Sequence, residues 1–165
     1  MPILRMLGLL RPFSIPTGSM TPAASAGDHL FMEGISYLNR EPHRGDIVIF
    51  KNRIVSKKEP EAIYIKRVLG EPGEHVRLTD GKLFINDKPV ALSNTLGLIV
   101  FATPTNHPIQ IPETDATVPA GCYFVVGDNS TNSYDSRYYG SIPRKDILGR
   151  AFFCYWPPAR IGGIK

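Results

Sequence analysis

The chain is a succession of short apolar runs separated by glycine and proline. The runs are rich in valine, isoleucine, phenylalanine and tyrosine, and Gly, Pro, Asn and Asp lie between them. β-Branched and aromatic residues favour strands, whereas Gly, Pro, Asn and Asp favour turns. The pattern therefore predicts a mostly β fold built from many short strands.

Individual strands can be placed between these turn signals. Gly-Asp pairs precede two apolar runs, and Pro72-Gly, Asp80-Gly and Asn86-Asp separate a series of hairpin strands. Residues 51–61 are charged and non-periodic, which is typical of a solvent-exposed loop, and residues 143–147 predict one helical turn. The predicted strands cover residues 29–32, 47–50, 62–69, 74–78, 82–85, 88–92, 122–126 and 149–156.

The regular pattern is interrupted in the middle of the chain. Residues 93–121 lose most of their charge and gain four prolines, which indicates an irregular region or long loop. We therefore predict a β core formed by residues 12–70 and 121–165, with a small β subdomain, residues 71–120, inserted between its halves. A length of 165 residues suits one such domain and does not suit two independent ones.

Residues 1–11 form a separate N-terminal segment. Its apolar stretch is interrupted by Arg5 and is well below the roughly 20 residues needed to span a bilayer. It also lacks the small-residue cleavage site of a secretory signal peptide. An edge strand, an interfacial segment and the remnant of a membrane anchor all fit the pattern, and of these we favour the remnant.

Composition narrows the classes of partner and cofactor. The net charge of +4 is compatible with anionic lipid or nucleic acid, but the basic residues are dispersed and not interleaved with aromatic ones, so we predict no nucleic-acid binding. The two cysteines, Cys122 and Cys154, fit no CxxC metal pattern, and no metal or organic cofactor is predicted. They form either one disulfide or two small strand-filling side chains, and the sequence does not choose between these.

One serine and one lysine stand out as candidate catalytic residues. Ser19 lies in Phe13-Ser-Ile-Pro-Thr-Gly-Ser-Met-Thr-Pro22, and Lys66 lies in an apolar strand pattern. A serine hydroxyl needs a neighbouring base to become a nucleophile. None of the four histidines has surroundings that suggest this role, so a lysine is the alternative base.

A lysine acts as a base only when its amine is neutral. Its ordinary pKa is near 10.4, so Lys66 needs burial that lowers its pKa by about 2 to 4 units. Strand alternation places Lys66 on the same face as Tyr64 and Val68. Taken singly, Lys66 is typical of an exposed strand lysine and Ser19 of a turn serine, and only their combination favours catalysis.

Four ordered motifs resemble the type I signal peptidases, membrane-bound Ser-Lys proteases. The resemblance covers most of the chain. It is carried by Ile15-Pro-Thr-Gly-Ser-Met20, Arg44-Gly-Asp-Ile-Val-Ile-Phe50, Tyr64-Ile-Lys-Arg-Val-Leu-Gly70 and Gly127-Asp-Asn-Ser-Thr-Asn-Ser-Tyr-Asp-Ser-Arg137.

The resemblance implies roles for residues in these motifs. Ser19 is the expected nucleophile, Lys66 the general base and Ser133 the serine that orients the lysine. The backbone N–H of Ser19 and the hydroxyl of Thr17 are the expected oxyanion donors. The residues expected to support the site structurally, as salt bridges and loop contacts, are Asp128, Asp135 and Arg137, with Arg67 expected to join the Asp135–Arg137 pair.

The resemblance also implies an activity and a location. The expected enzyme is a serine endopeptidase, a hydrolase with a signal-peptidase-like antiparallel β core. It removes signal peptides from exported precursor proteins through an acyl-enzyme, cutting after small residues of the Ala-X-Ala type. The expected location is the extracytoplasmic (periplasmic) side of the bacterial cytoplasmic membrane, against the membrane surface, although the sequence has no transmembrane anchor. Candidates for the walls of the specificity pockets are Phe13, Ile15, Met20, Ile63 and Ile65.

Three rival functions are compatible with the same residues. A peptidase dedicated to pilin or conjugation proteins differs chiefly in its substrate. A non-catalytic paralogue would bind exported peptides without cutting them, which the intact Ser19, Lys66 and Ser133 argue against. A self-cleaving repressor shares the dyad, but no helix-turn-helix and no Ala-Gly linker precede Ser19.

Overall fold

The protein folds into antiparallel β-sheets, as the sequence predicts. The computed structural model describes residues 10–53, 62–94, 97–99, 101 and 114–164. Within these residues the largest sheet has eight strands, and a second sheet has four. Three stretches with sequence predictions lie outside the described residues: residues 1–9, most of the charged loop (residues 54–61) and much of the irregular region (residues 95–96, 100 and 102–113).

The larger sheet takes its strands from both ends of the chain. Its order is β1-β2-β13-β3-β4-β11-β12, with β14 paired to β13. Its strands are β1 (Leu10–Ser14), β2 (His29–Glu33), β3 (Ile47–Lys51), β4 (Ile63–Gly70), β11 (Cys122–Val126), β12 (Ile142–Pro143), β13 (Ile147–Trp156) and β14 (Gly162–Gly163).

The second sheet comes from the middle of the chain. Its order is β10-β5-β6-β7, and a separate two-stranded sheet joins β8 to β9. All these strands fall inside residues 71–120, but the division into a core and an inserted subdomain stays a prediction. The strands are β5 (His75–Thr79), β6 (Lys82–Ile85), β7 (Lys88–Val90), β8 (Ser93–Asn94), β9 (Gly97–Leu98) and β10 (Thr114–Thr117).

The eight predicted strands are confirmed. Among the described residues, the four two-residue strands β8, β9, β12 and β14 were too short to be predicted, and two longer strands were also missed. The predicted strands correspond to β2 to β7, β11 and β13, and the predicted helical turn is the 3-10 turn Arg144–Asp146. β1 and β10 were not predicted. Neither has a long apolar run, because each lies at the edge of its sheet with exposed residues among its members. One further helix, α1 (Ser136–Tyr139), follows the polar loop after β11.

Strand β4 is buried on both faces where it carries Lys66. From Ile65 to Gly70 every residue of β4 is buried, and β3 and β11 flank it on either side. One face packs Ile65 with Ile47, while the other packs Val68 with Val48. A lysine at the centre of such a strand cannot extend into solvent and must find partners inside the protein.

The two cysteines are free thiols. Cys154 is buried in one hydrophobic cluster, and Cys122 packs against a different one. Of the two alternatives left open by the sequence, the structure therefore has the strand-filling side chains. No helix among the described residues is both long enough and apolar enough to cross a membrane.

Candidate active site

The loop that carries Ser19 connects β1 to β2 and is fixed by its backbone. Ile15 exchanges backbone hydrogen bonds with residues near the start of β2: its N–H donates to Asp28 at 2.9 Å, and its carbonyl accepts from Gly27 at 2.8 Å. The side chain of Met20 is completely buried in the core. Ser19 is thus held between two buried anchors, and only 7% of its surface is exposed.

Ser19 and Lys66 meet although 47 residues separate them in the chain. The Lys66 Nζ lies 2.9 Å from the Ser19 Oγ, and it donates a second hydrogen bond to the Ile65 carbonyl at 2.9 Å. Lys66 is 3% exposed. The ring of Tyr64, whose role the sequence did not indicate, lies with its centre 5.9 Å from Nζ.

The surroundings of Lys66 favour the neutral amine. Burial lowers the pKa of Lys66 to about 8, partly offset by the negative charges of Asp135 and Asp128, while the positive charge of Arg137 lowers it further. Burial dominates because moving an ammonium group out of water disfavours its charged form. The direction is the one that the sequence predicted, and it makes the amine able to accept a proton near neutral pH.

The hydroxyl of Thr17 lies next to the Ser19 hydroxyl. Its Oγ1 donates to Ser19 Oγ at 3.5 Å, a long hydrogen bond, and Thr17 itself is exposed. The position is compatible with an oxyanion donor, because a carbonyl attacked by Ser19 would arrive at this side of the loop. The oxyanion role of Thr17 stays a prediction.

The polar loop after β11 is organised around the buried Asp135. The carboxylate of Asp135 accepts hydrogen bonds from the Ser133 hydroxyl at 2.6 Å and from the Gly127 N–H at 3.1 Å. The Arg137 side chain donates to the same carboxylate, through Nε at 2.8 Å and through Nη2 at 2.9 Å. The side chains of Asp135 and Arg137 are both fully buried.

Ser133 lines the same cleft as Lys66 but is not bonded to it. Among the described residues, the hydrogen bonds of the Lys66 amine go to Ser19 and Ile65. That Ser133 orients Lys66 therefore stays a prediction.

A second buried ion pair joins β4 to this loop. Arg67 donates to Asp128 twice, through Nε and Nη2, each at 2.7 Å, and both side chains are almost completely buried. The expectation that Arg67 also joins the Asp135–Arg137 pair stays a prediction. Arg67 follows Lys66 on β4 and meets the first residues of the loop, so Asp128 is the carboxylate that it reaches.

Gly127 and Asn129, which had no role in the sequence predictions, contact the loop between β1 and β2 that carries Ser19. Gly127 has no room for a side chain: an added Cβ would lie 2.4 Å from the Ser19 carbonyl oxygen and 2.4 Å from Ser133 Oγ. Asn129 donates to the carbonyls of Gly18 and Ser19, each at 3.1 Å. The motif that contains both residues was visible in the sequence, but their partners lie more than a hundred positions away.

Ser19 and Lys66 open into a cleft of about 680 Å³. Of the five predicted wall residues, Ile63 and Ile65 line it. Ile15 and Met20 are buried in the core, and Phe13 packs against the same cluster. The cleft is lined by Pro16, Thr17, Ser19, Ala62, Ile63, Tyr64, Ile65, Lys66, Thr131, Asn132, Ser133, Tyr134 and Tyr138. Among the described residues no group of three or more His, Cys, Asp or Glu side chains is placed to hold a metal ion.

Comparison of the chain with known proteins finds one family. The family model described as "Signal peptidase, peptidase S26" matches residues 2–156. The chain is 38% identical over 151 residues to the probable signal peptidase I-2 of Synechocystis sp., covering 90% of this chain and 64% of that protein. It is 38% identical over 153 residues to the signal peptidase I of Leptolyngbya laminosa, covering 91% and 70%.

A plant relative and a solved structure extend the comparison. Thylakoidal processing peptidase 2 of Arabidopsis thaliana, named as probable and chloroplastic, is 37% identical over 159 residues, covering 94% of this chain and 41% of that protein. A signal peptidase I crystal structure from Enterococcus faecalis has 27% identity and a TM-score of 0.48, covering 67% of this chain and 97% of that one. The chain thus spans less than two thirds of the length of some relatives. The family match extends over nearly all of its residues, and the chain belongs to the signal peptidase family, peptidase S26.

Proposed function

We propose that this chain is a serine endopeptidase that removes N-terminal signal peptides from exported precursor proteins. The observation that carries the proposal is the buried contact of 2.9 Å between Lys66 Nζ and Ser19 Oγ, at the bottom of an open cleft. Membership of the signal peptidase family supports the substrate class. The same contact argues against a paralogue that only binds peptides, because burying an amine costs stability and groups whose pKa is shifted by burial in a cleft are typical of catalytic sites.

In the proposed reaction, Lys66 acts first as base and then as acid. The neutral amine takes the proton from Ser19 Oγ while the oxygen attacks the scissile carbonyl. The lysine ammonium then returns that proton to the leaving amine, which leaves an acyl-enzyme on Ser19. Water hydrolyses the ester in a second cycle with the same base.

Charge on the attacked carbonyl oxygen needs donors that are already in place. We assign this role to the backbone N–H of Ser19 and the hydroxyl of Thr17. Support comes from the position of Thr17 Oγ1, 3.5 Å from Ser19 Oγ in the same cleft.

Ser133 is proposed to hold the lysine amine during the reaction. Its hydroxyl proton goes to Asp135 at 2.6 Å, which leaves the oxygen lone pairs of Ser133 as acceptors for a lysine N–H. Asp135, Arg137, Asp128 and Arg67 support the loop and do not react.

The proposed substrate binds in extended form with small residues before the cut. Ile63 and Ile65 supply apolar walls next to Ser19, and such walls suit alanine-sized side chains of the Ala-X-Ala type. The proposed site of action is the extracytoplasmic side of the bacterial cytoplasmic membrane, where exported precursors emerge.

Cleavage of a precursor tests the proposal directly. The protein is incubated in detergent or lipid with a precursor whose signal peptide ends in Ala-X-Ala, and the products are identified by mass spectrometry. We expect a single cut after the second alanine, and no product with Ser19→Ala. Unaltered cleavage by Ser19→Ala, cleavage at scattered sites, or no cleavage by the wild type would each contradict the proposal.

The rate of cleavage should rise with pH until Lys66 has lost its proton. Because the pKa of Lys66 is about 8, the neutral amine is a minor species at pH 6 and the major one at pH 9. We expect kcat/KM to rise about 50-fold between pH 6 and pH 8 and to level off above pH 9. A profile that falls over this range excludes lysine as the base, and one that still rises steeply at pH 10 excludes the lowered pKa.

A further inference from the structure

Asn129, in the polar loop after β11, donates hydrogen bonds to two consecutive backbone carbonyls of the loop that carries Ser19. The Asn129 side chain donates from Nδ2 to the Gly18 carbonyl at 3.1 Å, and its backbone N–H donates to the Ser19 carbonyl at 3.1 Å. Asn129 therefore contacts both peptide units that flank the Ser19 side chain.

The bond to Gly18 fixes the direction of the Ser19 N–H. The Gly18 carbonyl and the Ser19 N–H belong to one planar trans peptide, so they point in opposite directions. A donor placed on the carbonyl oxygen therefore determines where the N–H points. The backbone N–H of Thr21 also donates to this oxygen, at 3.1 Å, so the Gly18 carbonyl has a donor from within its own loop and one from Asn129.

The amide of Asn129 is itself held in the orientation that this contact needs. Thr131 Oγ1 donates to Asn129 Oδ1 at 3.1 Å, which leaves Nδ2 as the end that faces Gly18. Asn129 also precedes the 3-10 turn Ser130–Asn132, where an asparagine side chain usually caps the turn. Here it makes no capping hydrogen bond and reaches across to the loop that carries Ser19 instead.

We propose that Asn129 is a positioning residue that orients the Ser19 backbone N–H toward the oxyanion. The inference rests on the proposed function, in which that N–H stabilises the charge that develops on the scissile carbonyl. Asn129 acts through the Gly18–Ser19 peptide and does not touch the substrate. Its loss therefore lowers the stabilisation of the transition state and leaves substrate binding unchanged.

The variants of Asn129 should differ in a definite order. Asn129→Ala removes the side-chain donor but keeps the backbone contact to Ser19, and we expect kcat to fall about 10-fold with KM unchanged. Asn129→Asp places a carboxylate oxygen against the Gly18 carbonyl, so its kcat should be lower than that of Asn129→Ala. Asn129→Gln still has a side-chain donor, so its kcat should lie between those of Asn129→Ala and the wild type. Asn39→Ala, at an exposed asparagine outside the cleft, is the control that should match the wild type.

Two measurements separate positioning from general loosening of the loop. The first is the pH profile. In Asn129→Ala its apparent pKa should stay near 8, because the contacts of Lys66 are unchanged, whereas a loosened loop would admit water and raise the pKa of Lys66.

The second is the affinity of a peptide aldehyde ending in alanine, which forms a hemiacetal with the enzyme. Ser19 Oγ bonds to the aldehyde carbon, the carbonyl π electrons move to its oxygen, and Lys66 takes the serine proton. Its affinity should fall in Asn129→Ala by the same factor as kcat.

Either of two results would overturn the role of Asn129. The first is a kcat for Asn129→Ala and Asn129→Asp that equals that of the wild type. The second is a lower kcat in Asn129→Ala with an affinity for the aldehyde that equals that of the wild type. Failure of the wild type to cut the precursor would overturn the proposed function. The aldehyde titration would still decide the role of Asn129, because hemiacetal formation needs Ser19, Lys66 and the orientation of the Ser19 N–H but no cleavage of a peptide bond.

Discussion

Lys66→Met is expected to lower kcat/KM for precursor cleavage by about 10⁴-fold or more, at every pH. Methionine has a similar length and no proton acceptor of comparable basicity, so Ser19 loses its base while the cleft keeps its shape. Binding of the precursor should be retained, because the apolar walls formed by Ile63 and Ile65 are unchanged in the variant. A KM effect without a kcat effect would contradict this assignment.

The same substitution should change stability in a pH-dependent way. Below pH 8 Lys66 is protonated in both the folded and the unfolded state, and the folded protein bears the full cost of burying the charge. Between pH 8 and about 10.5 the unfolded chain holds more protons, so the stability of the wild type rises with pH. The advantage of Lys66→Met should thus be largest below pH 8 and shrink by on the order of 3 kcal/mol toward pH 10.5.

Urea unfolding at pH 7 and pH 10 measures this difference. Lys82→Met is the matched control, because Lys82 is an exposed lysine on a strand outside the cleft. Its effect on the free energy of unfolding should be the same at both pH values. If the difference in free energy of unfolding between Lys66→Met and the wild type were also the same at pH 7 and pH 10, folding would not shift the pKa of Lys66.

Local sequence pattern was sufficient to predict the strand that carries Lys66. The apolar run around Lys66 predicts a buried strand, and a lysine inside it stands out because lysine is rarely buried. Pattern was equally sufficient for most other strands, whose ends are marked by Gly-Asp, Pro-Gly or Asp-Gly. These features depend on residues that are near one another in the chain.

Contacts between distant segments could not be derived in this way. Asn129 bonds to Gly18 across 111 positions, and Arg67 bonds to Asp128 across 61. Nothing in the composition of either motif specifies its partner, since an asparagine after Gly-Asp is equally suited to a turn. The edge strands β1 and β10 were missed for a related reason: their pairing is set by the neighbouring strand and not by their own apolar content.

Asp135→Asn is expected to reduce the free energy of unfolding by about 3 to 5 kcal/mol. Asparagine has the size of aspartate, but it removes the negative charge that Asp135 places against the fully buried guanidinium of Arg137. It also weakens the contacts that Asp135 makes to Ser133 and Gly127, so the loop beside Ser19 loosens. Asp115→Asn is the control: Asp115 pairs with His75 at an exposed position, where such pairs contribute little.

The cause of this destabilisation can be separated from a general loss of packing. If the lost attraction between Asp135 and Arg137 is responsible, adding Arg137→Met to Asp135→Asn should restore part of the stability, because an apolar side chain does not need the Asp135 charge. Asp135 also raises the pKa of Lys66, so the pH profile of Asp135→Asn should move to lower pH. Additive losses in the double variant, or a pH profile that does not move to lower pH, would contradict the role assigned to the negative charge of Asp135.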